Sequence, residues 1–238
     1  MTYKNKFNVN YWLRKIYTSK VFQLLPIDRS LLKKKIFTSI YKSNHWVQDD
    51  DILPTENISV SGHGSNTNTE QFYNLEENLN KVIEIYNIKS ILDVPCGDFL
   101  WMNEILKNKK INYLGVDIVD ELIKNNKRKF KNNSIDFEVN DIANFSSKKS
   151  FDLIIIRDLF IHIDNSDILK ILDNIKLLDF KYIALNSYEN DINENVTIGK
   201  HRKVNLLANP FNLKKPFYSF RDFEKDKYIF LYNKFDLM

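Results

Sequence analysis

A single cysteine, Cys96, stands in 238 residues, which excludes an intrachain disulfide. No apolar run approaches the ~20 residues that a membrane-spanning helix needs. The polar, basic start from Met1 to Lys6 is not followed by an apolar segment, so no secretory signal is expected. Together these absences make the cytoplasm the expected compartment. The four histidines, His45, His63, His162 and His201, are scattered without ligand-like spacing, and no metal site is expected. Only five glycines occur: Gly62, Gly64, Gly97, Gly115 and Gly199. Glycine serves where backbone takes positive φ or where another group approaches closely, so the loops that hold glycine are candidate ligand contacts.

Charge is nearly balanced, with a formal net of +4, too little to argue for a nucleic-acid partner on its own. Its distribution is uneven. Residues 1–50 carry Lys4, Lys6, Arg14, Lys15, Lys20, Arg29, Lys33, Lys34, Lys35 and Lys42 against Asp28, Asp49 and Asp50. Such an arm suits an anionic surface or substrate; equally, a spread of lysines is the wet face of ordinary helices.

Two regions are predicted: a helical, basic extension over 1–50 and an α/β domain over 51–238. In the extension, Tyr11, Trp12, Ile16, Val21, Phe22 and Leu25 recur at helical spacing. Pro26 ends that helix, and Asp28 caps a second one with apolar positions Leu31, Leu32, Ile36, Ile40 and Tyr41. The stripe from Tyr11 to Leu25 would cover this chain's own core or a partner's, so a homo-oligomer through the N-terminal helices is one expectation. Residues 48–70 are polar and read as a loop.

From about residue 71 helices and strands alternate. Helices are predicted over Glu70–Tyr86, from Phe99, over Asp120–Phe130 and over Asp164–Leu178. Strands are predicted over Ser90–Val94, Ile111–Val116, Ile135–Val139, Phe151–Ile156 and Tyr182–Asn186, with two more near Phe217–Phe220 and Tyr228–Tyr232. This alternation implies βαβ units and a mostly parallel sheet buried on both faces.

In such a sheet ligands bind at the carboxyl ends of the strands. The run Ile91-Leu92-Asp93-Val94-Pro95-Cys96-Gly97-Asp98-Phe99 ends a strand in an acid and enters a helix through a tight turn. Asp117 ends the next strand, where a carboxylate accepts both hydroxyls of a ribose. Asp141 follows the third strand, within reach of an adenine edge. A dinucleotide site wants G-x-G-x-x-G so that backbone can crowd a pyrophosphate. Here the turn has one glycine, and Asp98 adds negative charge where the pyrophosphate would sit. A ligand with a cationic ammonium and sulfonium suits Asp93 and Asp98 better.

This run resembles motif I of class I S-adenosylmethionine-dependent methyltransferases, whose usual form is an apolar pair, Asp, an apolar residue, then G-C-G-x-G. Pro95 and Phe99 replace two of those glycines. With Trp101 and Met102 the block resembles one branch of the family, D-x-P-C-G-D-F-x-W-M, found in small bacterial enzymes associated with capsule and surface polysaccharide biosynthesis, including O-methyl phosphoramidate decoration. The likeness extends over about residues 58–235. It implies a Rossmann-like, doubly wound, mostly parallel seven-stranded sheet with an antiparallel last strand, and S-adenosyl-L-methionine as cofactor. Asp93 and Gly97 would lie near its methionine end, Asp117 would hold the ribose, and Asp141 with Ile142 would flank the adenine. Pro95, Cys96, Asp98, Trp101, Ile118, Ser61, Gly62 and Arg157 complete the expected cofactor-binding set. Cys96 reads as a small turn residue rather than a nucleophile.

After the fourth strand comes Ile156-Arg157-Asp158-Leu159-Phe160-Ile161-His162-Ile163, at the position that faces the transferred methyl in this fold. Arg157, Asp158 and His162 are the candidate catalytic residues. Arg157 can hold a carboxylate or phosphate through two parallel hydrogen bonds. Asp158 can orient that arginine or bind substrate, and His162 can act as general base. The N/D-P-P-Y/F block of enzymes that methylate base amino groups is absent. Two loops are expected to close over the site: Ser59 to Ser65, resembling the branch's S-G-x-G-S, and Thr197 to Leu206, resembling its G-x-x-R-x-x-N-L. Arg202, Asn205, His201 and His63 are therefore candidate substrate contacts. The expected activity is O-methylation of a small anionic or sugar-linked substrate, a phosphoramidate or capsular sugar precursor. A nucleic-acid methyltransferase using the basic arm and a non-catalytic cofactor-binding scaffold are the alternatives.

Overall fold

A computed structural model of the chain describes Trp12, Lys15, Ile16, Ser19 and residues 29–47, 58–222 and 224–237. The rest of the predicted first helix, Asp28 and residues 48–57 of the predicted loop lie outside the described residues.

Seven strands form one sheet: β1 (Ser90–Asp93), β2 (Asn112–Asp117), β3 (Ile135–Val139), β4 (Ser150–Ile156), β5 (Asp179–Tyr188), β6 (Tyr218–Arg221) and β7 (Lys227–Asn233). Their order is β3-β2-β1-β4-β5-β7-β6. The first five run parallel, and β7 is antiparallel to both β5 and β6. The predicted fold class holds, antiparallel end included. Apolar runs on the central strands follow from burial on both faces: Phe151, Leu153, Ile154, Ile155 and Ile156 are all buried along β4. Leu92, Ile154 and Ile183 face one core, and Ile91, Leu153, Ile155 and Ala184 face the other. Strand β5 is longer than predicted, ten residues, because it pairs along its length with β4 on one side and β7 on the other.

Five α-helices are described: α1 (Ser30–Lys42), α2 (Glu70–Ile85), α3 (Leu100–Leu106), α4 (Asp120–Phe130) and α5 (Asn165–Lys176). Caps fix two of their starts. Thr69 accepts the Phe72 N–H at 3.0 Å to open α2, and Asp164 accepts the Asp167 N–H at 2.9 Å to open α5. Helix α1 corrects the predicted stripe. Its buried residues are Lys33, Ile36, Phe37 and Ile40, while Leu31 is 71% exposed. Positions 33, 36, 37 and 40 have the i, i+3, i+4, i+7 spacing of one helix face. That face packs into the core shared by Leu92, Val116 and Ile154, so the N-terminal helix is built onto the sheet. Among the described residues no helix is long and apolar enough to cross a membrane.

Candidate active site

Sheet order reverses between β1 and β4, and the carboxyl ends of the strands there open on a partly enclosed cavity. The turn after β1 forms its floor. Gly97 has φ +54°, and a Cβ placed there would lie 2.4 Å from Ser61 Oγ, so only glycine lets the turn and the 59–65 loop meet. Phe99 is also left-handed (φ 64°), and its buried ring packs against Tyr113 and Phe137. Asp98 is turned away from the cavity. Its carboxylate accepts the Ser59 hydroxyl and the backbone N–H groups of Val60 and Leu100, which ties the loop to the turn. Gly62 lies on that loop, and Ser61 lines the cavity.

Asp117 does line it. Its side chain is buried and accepts the backbone N–H of Gly97 at 3.2 Å and of Val119 at 2.9 Å, with no cation beside it among the described residues. Burial pushes its pKa up to about 6. Asp93 lies behind the wall, fully buried. One oxygen accepts the Tyr113 hydroxyl at 2.7 Å, the other has no hydrogen-bond partner among the described residues, and burial pushes the carboxyl up to about 7. Cys96 is buried in the wall, and burial drives its thiol up and keeps it neutral. Pro95, Trp101, Ile118, Asp141 and Ile142 complete the expected residues on the cavity surface.

Asp141 is already partnered. Lys33 Nζ lies 2.5 Å from its Oδ2, the Ser30 hydroxyl donates to the same oxygen at 2.8 Å, and the Ala143 N–H donates to Oδ1. Helix α1 thus supplies one wall, Lys33, Phe37 and Tyr41, with Trp46 just beyond it. Four basic groups of the N-terminal region are engaged by acids of the domain: Arg29 with Asp167, Lys33 with Asp141, Lys34 with Asp120 and Lys42 with Glu121.

Arg157 is buried and committed. Its guanidinium donates from Nε and a terminal nitrogen to Asp222 (3.2 and 3.0 Å) and to the Gly64 carbonyl (2.6 Å), stands 3.5 Å from Asp158, and lies over the Trp101 ring. Lys227 completes a four-charge cluster, 2.6 Å from Asp158 and 3.1 Å from Asp222. The cations hold Asp158 and Asp222 below the usual carboxylate range. Asn186 orders the cluster by donating to Asp222 and accepting the Asp158 N–H. Asp222 and Lys227 were not predicted. They reach the site because β7 runs backwards: Lys227 at its start pairs with Tyr188 at the end of β5.

His162 lies in a single helical turn, Phe160–His162, and its ring stacks on Trp46 with centroids 4.8 Å apart. Its Nδ1 contacts the Lys200 carbonyl at 3.2 Å. A carbonyl only accepts, so Nδ1 carries the proton and Nε2 is the unprotonated nitrogen. Burial pushes the imidazole down to about 4, although the Asp158 charge opposes this shift. Trp46, Ser61, Asp158 and His162 also line a second, more open cavity, which Gly62, His63, His201, Lys200, Tyr188 and Glu224 line as well. The predicted substrate contacts therefore separate. His63 and His201 face this vestibule, whereas Arg202 donates to the carbonyls of Glu194 and Ile163. Asn205 bonds to the Asn190 carbonyl, to Asn193 and to the Leu207 N–H, so both brace the 197–206 loop. That loop is zipped beside His162 through Gly199 N–H to the His162 carbonyl and Arg202 N–H to the Ile161 carbonyl. Among the described residues no group of His, Cys, Asp and Glu clusters as a metal site.

Residues 91–178 match the family model of a methyltransferase domain. The span runs from β1 to just beyond α5 and contains Asp93, Gly97, Asp117, Asp141, Arg157 and His162. Among solved structures, the chain is similar to the 1,6-didemethyltoxoflavin-N1-methyltransferase of Burkholderia thailandensis bound to 1,6-didemethyltoxoflavin and S-adenosylhomocysteine. The TM-score is 0.58 at 13% identity, over 88% of this chain and 92% of that one. It is also similar to the PH0226 protein of Pyrococcus horikoshii OT3, with TM-score 0.50 and 16% identity over 70% and 92% of the two chains. At these identities the likeness is one of fold. No curated protein matches the sequence.

Proposed function

We propose that this chain, which carries a class I methyltransferase domain, uses S-adenosylmethionine to methylate a hydroxyl group of a small, polar, sugar-like acceptor. The cofactor supplies an electrophilic methyl group on a sulfonium sulfur. The residues present fit it. Asp117 is a carboxylate removed from water on the cavity surface, with no cation alongside among the described residues, an arrangement that favours a ligand bringing hydrogen-bond donors or positive charge. Asp117 would take the ribose hydroxyls on the lone pairs its two backbone donors leave, and Gly97 lets the ligand approach the turn.

One observation carries the acceptor reading: His162, with its tautomer set by the Lys200 carbonyl, lies at the junction of the cofactor cavity and the vestibule. Its Nε2 offers a lone pair to a hydroxyl hydrogen. A base this weak does not ionise the hydroxyl beforehand; it accepts the proton as the oxygen–carbon bond forms. Asp158 then stands close to the imidazolium and stabilises it, while Trp46 holds the ring plane. An anionic acceptor is less well served. Arg157, the expected anion holder, spends its donors on Asp222 and Gly64, and the four-charge cluster is neutral overall. Of the two acceptor types expected from the resemblance, a sugar hydroxyl of the kind found in capsular precursors is therefore favoured over a phosphoramidate oxygen. The engagement of Arg29, Lys33, Lys34 and Lys42 by the domain's own acids weakens the field that a nucleic-acid partner would require.

The test is calorimetric titration with S-adenosylhomocysteine, with NAD as control, followed by transfer of labelled methyl to neutral sugars and to phosphate esters. Micromolar binding of the first ligand alone and labelling of neutral hydroxyls are expected. His162→Asn, which keeps a donor for the Lys200 carbonyl, should retain ligand binding and lose about 100-fold or more in turnover. Labelling of phosphate esters alone would overturn the hydroxyl reading, and no binding of S-adenosylhomocysteine would overturn the cofactor assignment.

A further inference from the structure

We infer that Lys33 of the N-terminal helix is a cofactor-binding residue, which together with Asp141 reads the edge of the adenine. The inference rests on the cavity being the S-adenosylmethionine site. Lysine is rarely buried without a purpose or a partner, and Lys33 is 5% exposed on the cavity face of α1. Its Nζ lies 2.5 Å from Asp141 Oδ2 and 3.8 Å from Asp167 Oδ1. The second distance is too long for a hydrogen bond, so the three-donor ammonium keeps donor capacity beyond its bond to Asp141.

The pairing changes what the cavity presents. A lone carboxylate at the end of β3 can only accept. With Lys33 beside it, the same patch offers an acceptor and a donor side by side. Adenine shows the complement: its N6 amino group donates and its N1 accepts. A hypoxanthine edge, with an oxygen at position 6 and N1–H, reverses the order and would meet donor with donor and acceptor with acceptor. Ile142, Ile163, Ile171 and Phe37 give this end of the cavity the apolar walls that suit the faces of a flat base. Ser30 and Asn144 hold Asp141 in place: the Ser30 hydroxyl donates to it and receives the Asn144 amide at 2.8 Å. The extension thus completes the cofactor site, and one of the ten basic residues in the first fifty serves a buried base rather than a surface.

The experiment titrates the full chain with S-adenosylhomocysteine, with its 1-deaza-adenine analogue, in which C–H replaces N1, and with S-inosylhomocysteine. The wild type should bind the deaza analogue about tenfold more weakly, the scale of one hydrogen bond to a charged donor, and the inosyl ligand more weakly still. Lys33→Met should bind the adenine and deaza-adenine ligands alike, at the weaker level. Should that variant not fold, Lys33→Met/Asp141→Asn, which removes the charge pair together, takes its place with the same expected loss of discrimination. Equal binding of the two ligands by the wild type, or discrimination that survives in the variant, overturns the assignment to Lys33. A wild type that binds none of the three sinks the cofactor reading instead.

Discussion

Lys227→Met removes one of the two cations from a cluster that sits under the candidate active site. The side chains of Arg157 and Lys227 are each 3% exposed and that of Asp222 is 1% exposed. Lys227 Nζ is 2.6 Å from Asp158 and 3.1 Å from Asp222, so its loss leaves two carboxylates to share Arg157. Breaking a buried ion pair by deleting one partner costs about 3–5 kcal/mol, because the remaining charge is desolvated without compensation. For a chain of this length, that corresponds to a fall in Tm of roughly 6–20 °C. Lys227→Met/Asp158→Asn removes one charge of each sign. Asparagine also tolerates the left-handed backbone at position 158 (φ 60°), so most of the loss should be recovered. The assay is urea and thermal unfolding at pH 7, at low and high salt; a buried cluster should be little screened. The cations hold Asp158 and Asp222 below their ordinary range. Their contribution is therefore present above the unfolded value near ~4 and is lost as pH falls below it, and the variant should show a flatter acid limb. A loss under about 1 kcal/mol at pH 7, or no recovery in the double variant, would refute the reading of the cluster as a desolvated, mutually compensating unit.

Two further outcomes are expected. Asp117 has its pKa raised to about 6 by burial, so its charge costs the folded protein stability that is present below the unfolded value near ~4 and lost as pH rises through 6. Ribose hydroxyls bond best to the ionised form; S-adenosylhomocysteine affinity should therefore rise from pH 5 to pH 7, and Asp117→Asn should bind weakly with little pH dependence. A flat wild-type profile across that window counts against the ribose assignment. Gly97→Ala places a methyl 2.4 Å from Ser61 Oγ in a left-handed conformation, which should cost about 1–2 kcal/mol for the backbone alone and weaken ligand binding. Adding Ser61→Gly should relieve the clash and recover part of the loss, and no recovery in urea unfolding would show that the contact is not the cause.

The fold was legible because its signals are local. Strands β1, β2 and β4 and the second half of β5 are buried on both faces and read as short apolar runs, and the helices between the strands show period-3.6 stripes opened by caps such as Thr69 and Asp164. The turn after β1 was legible from Gly97 because one glycine in a glycine-poor chain marks a close approach. In helix α1 the predicted positions Leu32, Ile36, Ile40 and Tyr41 do meet the core, and Leu31 does not. The predicted stripe was phased on Leu31, so it passed over Phe37, and because it took only apolar residues it passed over Lys33 as well. The true face, at 33, 36, 37 and 40, contains a charge, and its partners Asp141 and Asp167 lie more than a hundred residues away. A lysine in phase with an apolar stripe is itself a signal that an acid awaits it.

Arg157 shows where local reading stops. As a residue type it is suited to a carboxylate or phosphate. Which one it meets is decided by Asp222, 65 positions later, on a turn between two short strands. Topology offers a way to find that partner. Once the last strand is taken as antiparallel, its first residue must lie at the carboxyl edge of β5, so any charge on the preceding turn is delivered to the site. Asp222 and Lys227 are such charges. Had the guanidinium faced the cavity alone, an anionic acceptor would follow. With its donors on Asp222 and Gly64 and a second cation balancing Asp158, a phosphate would have to displace buried, short ion pairs, whereas a hydroxyl needs only the lone pair of His162. In the proposed function, the acceptor class thus rests less on the arginine than on the acid that reaches it from the last hairpin.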